Sequence, residues 1–489
     1  MDAAKISPLN QHTAHVKGVK APPPEAAGPA EARDEVALTG KAGAKEEIRV
    51  KEYGEHVPGE LLVRFKGAVP SSLEFRGIRL EVIKKYDLPE TMKSQGNGDI
   101  CHVKILSDVP VKDAVKSLEK DRRIAYAEPN FVIRLPKNED DAGPAAKAEG
   151  NGDTPPATPG EGPQVKPDDL DRKLWGLDNT GQTGGKADAD IDAPEAWNIA
   201  TGAGGPLIAV IDTGVDYTHP DLKNNIWTNP GEIAGDGIDN DGNGYVDDVH
   251  GYDFANKDGD PMDDHSHGTH CAGTIAAEGD NKTGVVGVNW QASIMPLKFI
   301  KGSGGGTTAD AIEAVIYATR MGARITSNSW GGGEFSQALK DAIDGFPGLF
   351  VAAAGNSSAD NDKEAHYPSS YESPNILAVA SSDHRDRLSS FSNYGKTTVD
   401  LAAPGSSIYS TVPGGGYGSK SGTSMATPHV AGAAGLVASH EPDISASQLK
   451  ERLMQTTDAV PEFNEKMVTG GRLNVHKALL AGGEAPKEE

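Results

Sequence analysis

The sequence predicts an α/β protein, a mostly parallel sheet with helices on both faces, preceded by a small α+β unit. Three observations carry that expectation. Beyond residue 168 the apolar runs LIAVI, SIMPLKFI, LFVAAA and ILAVAS alternate with the helix-length stretches TADAIEAVIYATRMG and SQALKDAID, the pattern of buried strands joined by covering helices. Between residues 55 and 137, strand-like runs such as GELLVRF and CHVKIL flank VKDAVKSLEKD, in which Val111, Val115 and Leu118 share one helical face. The two regions are separated by residues 138–168, which carry too little apolar surface to fold.

In chain order, residues 1–54 are rich in Ala, Pro, Gly and charge without a sustained apolar period and read as a disordered tail. Residues 55–137 read as the small folded unit. Residues 138–168 read as an acidic, Pro/Gly-rich linker open to proteolysis, so that a processing cut there parts two folded units. Residues 169–489 form the large domain, and functional groups in such sheets belong at the carboxyl ends of the strands.

Composition narrows the partners. A formal charge of −24 repels nucleic acid and anionic membranes and suits cations. No run reaches the roughly 18 to 20 apolar residues of a membrane span. Residues 1–30 show no positive cluster followed by an apolar core, so no secretory signal is read there. The two cysteines, Cys101 and Cys271, fall in different units, which argues against a disulfide framework.

Three glycine-rich settings carry the chemistry. LIAVIDTGVDYTHPDL puts Asp212 where a buried strand ends, HSHGTHCAGTIAA opens a small-residue helix at His267, and SGTSMATPHVAGAAGLV presents Ser424 at a helix N-terminus that favours developing negative charge. Alone, each has a bland reading as a turn acid, a packed histidine or a helix serine. Together they supply an orienting carboxylate, a base and a nucleophile in the order Asp, His, Ser, one of the known orders for this chemistry. His219, His265, His270, His429 and Asp216 are read as packing or turn residues.

DTGVDYTHPDL, HGTHCAGT and GTSMATPHVAG resemble the signature motifs of the subtilisin-like serine proteases, the peptidase S8 family. WGLDNTGQTGG, SNSWGGG and VAAAGNS extend the resemblance over the chain after the linker, and Gly59–Leu135 is similar to the family's inhibitory pro-domain, of the inhibitor I9, ferredoxin-like type. The resemblance implies that the amide of Asn356 joins the Ser424 N–H in holding an oxyanion. It further implies that Ser329, Trp330 and Gly331 pair with an extended substrate, and that Ala352 to Gly355, including Ala353, wall the pocket before the scissile bond.

Calcium is read in two places. Asp239, Asp241, Asn243 and Gly244 follow a pattern whose alternate oxygens wrap a hard cation, with a carbonyl at Tyr245 and a carboxylate at Asp247; His250 replaces the final Glu of an EF-hand loop. A second site is implied by the resemblance alone: side chains of Asp221 and Asn281 with carbonyls at Glu278, Thr283 and Val285. Cys271, one turn past His267, is read as a buried small residue at which a mercurial would inhibit.

The expected protein is therefore a self-processing serine endopeptidase zymogen of broad specificity. Its expected partners are protein and peptide substrates and its own pro-domain, with calcium as a structural ion. It is expected outside the cell and monomeric after processing. An inactive calcium-dependent binding protein on the same fold is the alternative from another class, and an intracellular protease the third.

Overall fold

The computed structural model describes residues 53–86, 88–89, 98–135 and 164–483. Residues 1–52 of the expected tail and 138–163 of the expected linker lie outside the described residues.

The small unit is an antiparallel sheet with one helix. Its main strands lie in the order Ile78–Lys85, Ile100–Ile105, His56–Phe65, Ile124–Arg134, each antiparallel to its neighbour. This is the ferredoxin-like order with one difference. The first crossover holds the two-residue strand Glu74–Phe75 instead of a helix, because Pro70 and the left-handed Gly67 and Gly77 (φ 89° and 82°) leave no helical stretch between them. The second crossover is the helix Val111–Leu118, whose Val111, Val115 and Leu118 are buried, as their spacing predicts, against Leu61, Val63 and Phe65.

The large domain is built on nine strands. Their order is Asp458–Ala459, Gly471–Arg472, Leu401–Pro404, Ile376–Ser382, Leu349–Ala353, Ile325–Asn328, Leu207–Asp212, Ser293–Lys298, Tyr252–Asp253. Every neighbouring pair is parallel except the first. Successive side chains on a strand face opposite ways, so Ile208 and Val210 join the core under the helix Thr423–His440, while Ala209 and Ile211 join the one under the helices Thr308–Arg320 and Gln337–Asp344. Small residues let the long helix come close: a Cβ at Gly435 would lie 2.7 Å from the Ile208 side chain, and one at Gly432 2.8 Å from Val288.

The chain leaves Leu207–Asp212 for Ser293–Lys298 on one side and then crosses to Ile325–Asn328 on the other. Strand order reverses there, and a crevice opens beyond the carboxyl ends of the strands at such a point. Asp212 ends the first of these strands, and Ser329 follows the third.

Candidate active site

Asp212, His267 and Ser424 are all completely buried. His267 begins the helix His267–Ala276, entered through the left-handed Ser266 (φ 91°), and its Nδ1 stands 2.6 Å from Asp212 Oδ1. A carboxylate accepts, so Nδ1 carries the proton and Nε2 is left as the basic nitrogen. Ser424 is the second residue of the helix Thr423–His440. Its Oγ donates to Ser329 O at 3.1 Å, and Ser329 Oγ donates to Ser424 O at 2.9 Å, a reciprocal pair that ties the serine to the segment expected to pair with substrate.

Asn356 follows the strand Leu349–Ala353. Its Oδ1 accepts from Thr423 N at 2.8 Å and Thr423 Oγ1 at 2.9 Å, which assigns the other end of the amide, Nδ2, as the donor end. Thr423 Oγ1 also accepts from Gly355 N at 3.1 Å. Gly355 is needed as glycine: φ is 108°, and a Cβ would lie 2.5 Å from Asn393 Nδ2. Ala353 ends the strand, fully within the core.

The pro-domain reaches into this crevice. The strand Ile124–Arg134 pairs antiparallel with Gly305–Thr307, placing Val132, Ile133 and Arg134 opposite Thr307, Gly306 and Gly305. On its other side Arg134 forms an antiparallel bridge with Gly331, and Leu135 N donates to Gly304 O at 3.0 Å. An extended chain is thus held between two backbone edges, as a bound peptide would be. Of the segment predicted to pair with substrate, Gly331 makes the bridge. The Trp330 side chain instead packs inward on Phe299 and donates Nε1 to Ile211 O at 2.9 Å.

Two polar residues of the same strand cap helices of the large domain. Glu128 accepts from Ser336 Oγ (2.6 Å), Gln337 N (2.9 Å) and Ala338 N (3.1 Å) at the start of Gln337–Asp344, and Asn130 Oδ1 accepts from Ala309 N (3.0 Å) at the start of Thr308–Arg320. Desolvation pushes the Glu128 carboxyl up to about 7, against the pull of those hydrogen bonds. Arg64 with Asp341 and Lys84 with Glu313 complete the contact.

Two other motif histidines, His270 and His429, are occupied elsewhere. His270 Nε2 lies 2.9 Å from Ile408 O and His429 Nδ1 2.9 Å from Met425 O, and burial lowers their pKa to about 3 and about 4, so both are neutral.

Comparison with known proteins finds relatives of both units. The model described as the subtilase family covers residues 203–474, and the one described as the fervidolysin N-terminal prodomain covers residues 42–130. The chain is 34% identical over 439 residues to the thermophilic serine proteinase of Bacillus sp. (strain AK1), spanning 88% of this chain and 90% of that protein. The chain belongs to the subtilase family. This subtilase is also 41% identical over 292 residues to thermitase of Thermoactinomyces vulgaris, spanning 59% of this chain and 93% of that protein. It is 35% identical over 317 residues to the cell wall-associated protease of Bacillus subtilis (strain 168), spanning 64% and 32%. It is a serine endopeptidase, a hydrolase of peptide bonds, with an N-terminal prodomain.

In this subtilase a cavity of about 520 Å³ opens beside the His267 turn, between Asp263, Asp264, His265 and Ser266 on one wall and Val412, Pro413, Ser419 and Lys420 on the other. Cys271 is buried and donates Sγ to Ser424 O at 3.4 Å. Neither cysteine is in a disulfide, and among the described residues no helix is long and apolar enough to cross a membrane.

The expected cation sites gather carboxylates and amide side chains. In the first, carboxylate oxygens of Asp239, Asp241 and Glu232 lie within 4.8 Å of one another, and Glu232 Oε2 is buried without a hydrogen-bond donor. Asn243 folds into the loop through its own N–H to Asp239 (3.0 Å) and Asp241 (2.9 Å). Asp247 stands outside this group, accepting from Gly235 N and Gly237 N, and the Tyr245 ring packs on Tyr252, Phe254 and Tyr317. In the second, Asn281 Nδ2 donates to Asp221 Oδ1 at 2.8 Å and Val285 N to Asp221 Oδ2 at 2.9 Å, while Thr283 N donates to Asn281 Oδ1 at 2.7 Å. Asp169, not expected, accepts from Asn281 N at 3.0 Å and leaves its buried Oδ1 without a donor. Burial raises the pKa of Asp169 and Asp221 alike. Buried carboxylate oxygens left without a hydrogen-bond donor at Glu232 and Asp169 fit a hard cation.

Proposed function

We propose that Asp212, His267 and Ser424 act as orienting carboxylate, base and nucleophile. Ser424 Oγ attacks the peptide carbonyl carbon as His267 Nε2 takes its proton; the C–N bond then breaks as that proton passes to the leaving nitrogen, and water repeats the sequence on the acyl-enzyme. Asp212 holds the imidazole tautomer. The Asn356 amide, oriented by Thr423, and the Ser424 N–H receive the oxyanion. Supporting this reading is the buried 2.6 Å contact of His267 with Asp212.

The zymogen reading rests on the pro-strand. Lying between Gly305–Thr307 and Gly331 and ending at Leu135 beside Gly304, it supports self-cleavage within the first few bonds beyond Leu135. The cut strand then remains as a product inhibitor. Residues 55–137 act as this inhibitory, folding-assisting pro-domain and 169–483 as the protease, a monomer once processed. The cavity beside Asp264 and Lys420 accepts residues that follow the scissile bond. Backbone pairing gives broad specificity, with Ser329 and Gly331 on one edge.

Calcium would be held by Asp221, Asn281 and Asp169, with carbonyls at Thr283 and Val285, and by Asp239, Asp241, Asn243 and Glu232. The ion's contribution is to tie loops together. Secretion fits both the calcium sites and an inhibitor that keeps the enzyme silent during export. The test is Ser424→Ala expressed with calcium: mass spectrometry is expected to find it intact and the parent cut just beyond Leu135, and efficient self-cleavage by the variant would sink the assignment.

A further inference from the structure

Thr213 follows Asp212, and all its polar groups are engaged. Its N–H donates to Asp212 Oδ1 at 2.7 Å, the oxygen that also faces His267. Its Oγ1 accepts from Gly268 N at 2.9 Å, the N–H just after His267, and donates to Asp263 Oδ1 at 2.9 Å. Its carbonyl accepts from Lys298 Nζ at 2.7 Å.

The two ends of this arrangement are buried charges. Asp263, 5% exposed, accepts five hydrogen bonds: Thr213 Oγ1, His265 N and Ser266 N on Oδ1, Thr269 N and Thr269 Oγ1 on Oδ2. These donors bracket His267 on both sides. Lys298, 1% exposed, ends the strand paired with Leu207–Asp212 and lies in register with Asp212. Its three ammonium protons go to Thr213 O, Ile300 O at 3.0 Å and Asp264 Oδ1 at 2.5 Å.

We propose that Asp263 and Lys298 are positioning residues that set the Asp212–His267 contact through Thr213. Burying a charged group costs free energy even where hydrogen bonds hold it, and the Asp264 carboxylate that pairs with Lys298 is half exposed, so two buried groups joined to Thr213, which bonds both Asp212 and the histidine helix, are explained by placement. Asp263 docks the helix entry on Thr213, and Lys298 fixes the Thr213 carbonyl, so neither the carboxylate nor the imidazole can shift alone. Displacements of this kind, remote from the reacting atoms, cost on the order of 10²-fold in rate.

The inference rests on the proposed roles of Asp212 and His267 and is tested in the full-length chain. In Lys298→Met, self-cleavage is expected to slow by about 10²-fold. In the inert Ser424→Ala chain carrying Lys298→Met, the far-downfield proton resonance of His267 Nδ1 is expected to move upfield while the melting temperature stays near the parent's. Lys298→Arg is expected to restore both. If Lys298→Met fails to fold, Thr213→Val, which removes only the hydroxyl, reads the same two quantities. An unmoved resonance with self-cleavage within about threefold of the parent, or a slowing that only tracks a lowered melting temperature, overturns the proposal. Self-cleavage by Ser424→Ala would instead overturn the assignment beneath it.

Discussion

Glu128 of the pro-strand caps the helix that begins after Ser336, its Oε1 accepting from Ser336 Oγ at 2.6 Å. The carboxyl is held at about 7, above its ordinary range, because the contact desolvates it, with Asp341 adding to the rise. A raised acid pKa means that the docked state favours the protonated form. The docking free energy from this group is fully present below the free carboxyl's pKa of about 4.3, declines as pH rises towards 7, and is flat above that. In the full-length Ser424→Ala chain, amide exchange of Ile124–Arg134 is therefore expected to gain opening between about pH 4.3 and 7 beyond the intrinsic rise. Glu128→Gln should abolish that excess, and an equal excess in both would contradict the account.

On the proposed oxyanion role of Asn356, Asn356→Ala removes a donor to charge that exists only in the transition state. The expected result is a fall in kcat of about 10²- to 10³-fold, the cost of removing one oxyanion donor, with KM nearly unchanged. Steady-state kinetics on the processed enzyme check it, and a change confined to KM would contradict it.

Cys271 Sγ, an Asp212 carboxylate oxygen and a His267 nitrogen lie within 4.8 Å of one another. A small mercurial that reaches the thiol is expected to abolish hydrolysis by displacing the imidazole, while Cys271→Ala keeps activity and becomes resistant. Titration with mercuric chloride separates the two, and equal sensitivity in both proteins would place the inhibition elsewhere.

Calcium is expected to raise the melting temperature of the processed enzyme in a concentration-dependent way, since a ligand bound only by the native state stabilises it by mass action. Asp221→Asn and Asp169→Asn, each removing one carboxylate charge from the same site, should both weaken the dependence. Differential scanning calorimetry with and without chelator reads it, and unaltered dependence in both variants would leave the second site without support.

What could be read in the residues was whatever announces itself locally. Asp212, His267 and Ser424 sit in short glycine-flanked runs whose strand end or helix start is visible from neighbours alone, and Val111, Val115 and Leu118 declare their face by spacing. Asp169 and Asn281 are separated by 112 positions, and Glu128 and Ser336 by 208. Such pairs follow from how distant segments pack, within the large domain for the first and between the two domains for the second, and no period records that. Glu232 escaped for a different reason: though close in sequence, it lies outside the cation pattern and meets Asp239 and Asp241 only in the folded loop. Trp330 sits in a segment expected at the cleft, but its indole packs inward on Phe299, since so large a ring gains most from the interior.

The pro-strand occupies its slot through backbone pairing with Gly305–Thr307 and Gly331. Once it leaves, what remains is a mould for a shape that folded proteins seldom offer on their surfaces: several consecutive residues drawn straight, with both edges bare. Such an enzyme sorts its prey by conformation before it reads a single side chain. On the proposed processing, frayed termini, long loops and heat-loosened chains would be open to it, and well-packed neighbours, its own mature fold among them, would be passed over.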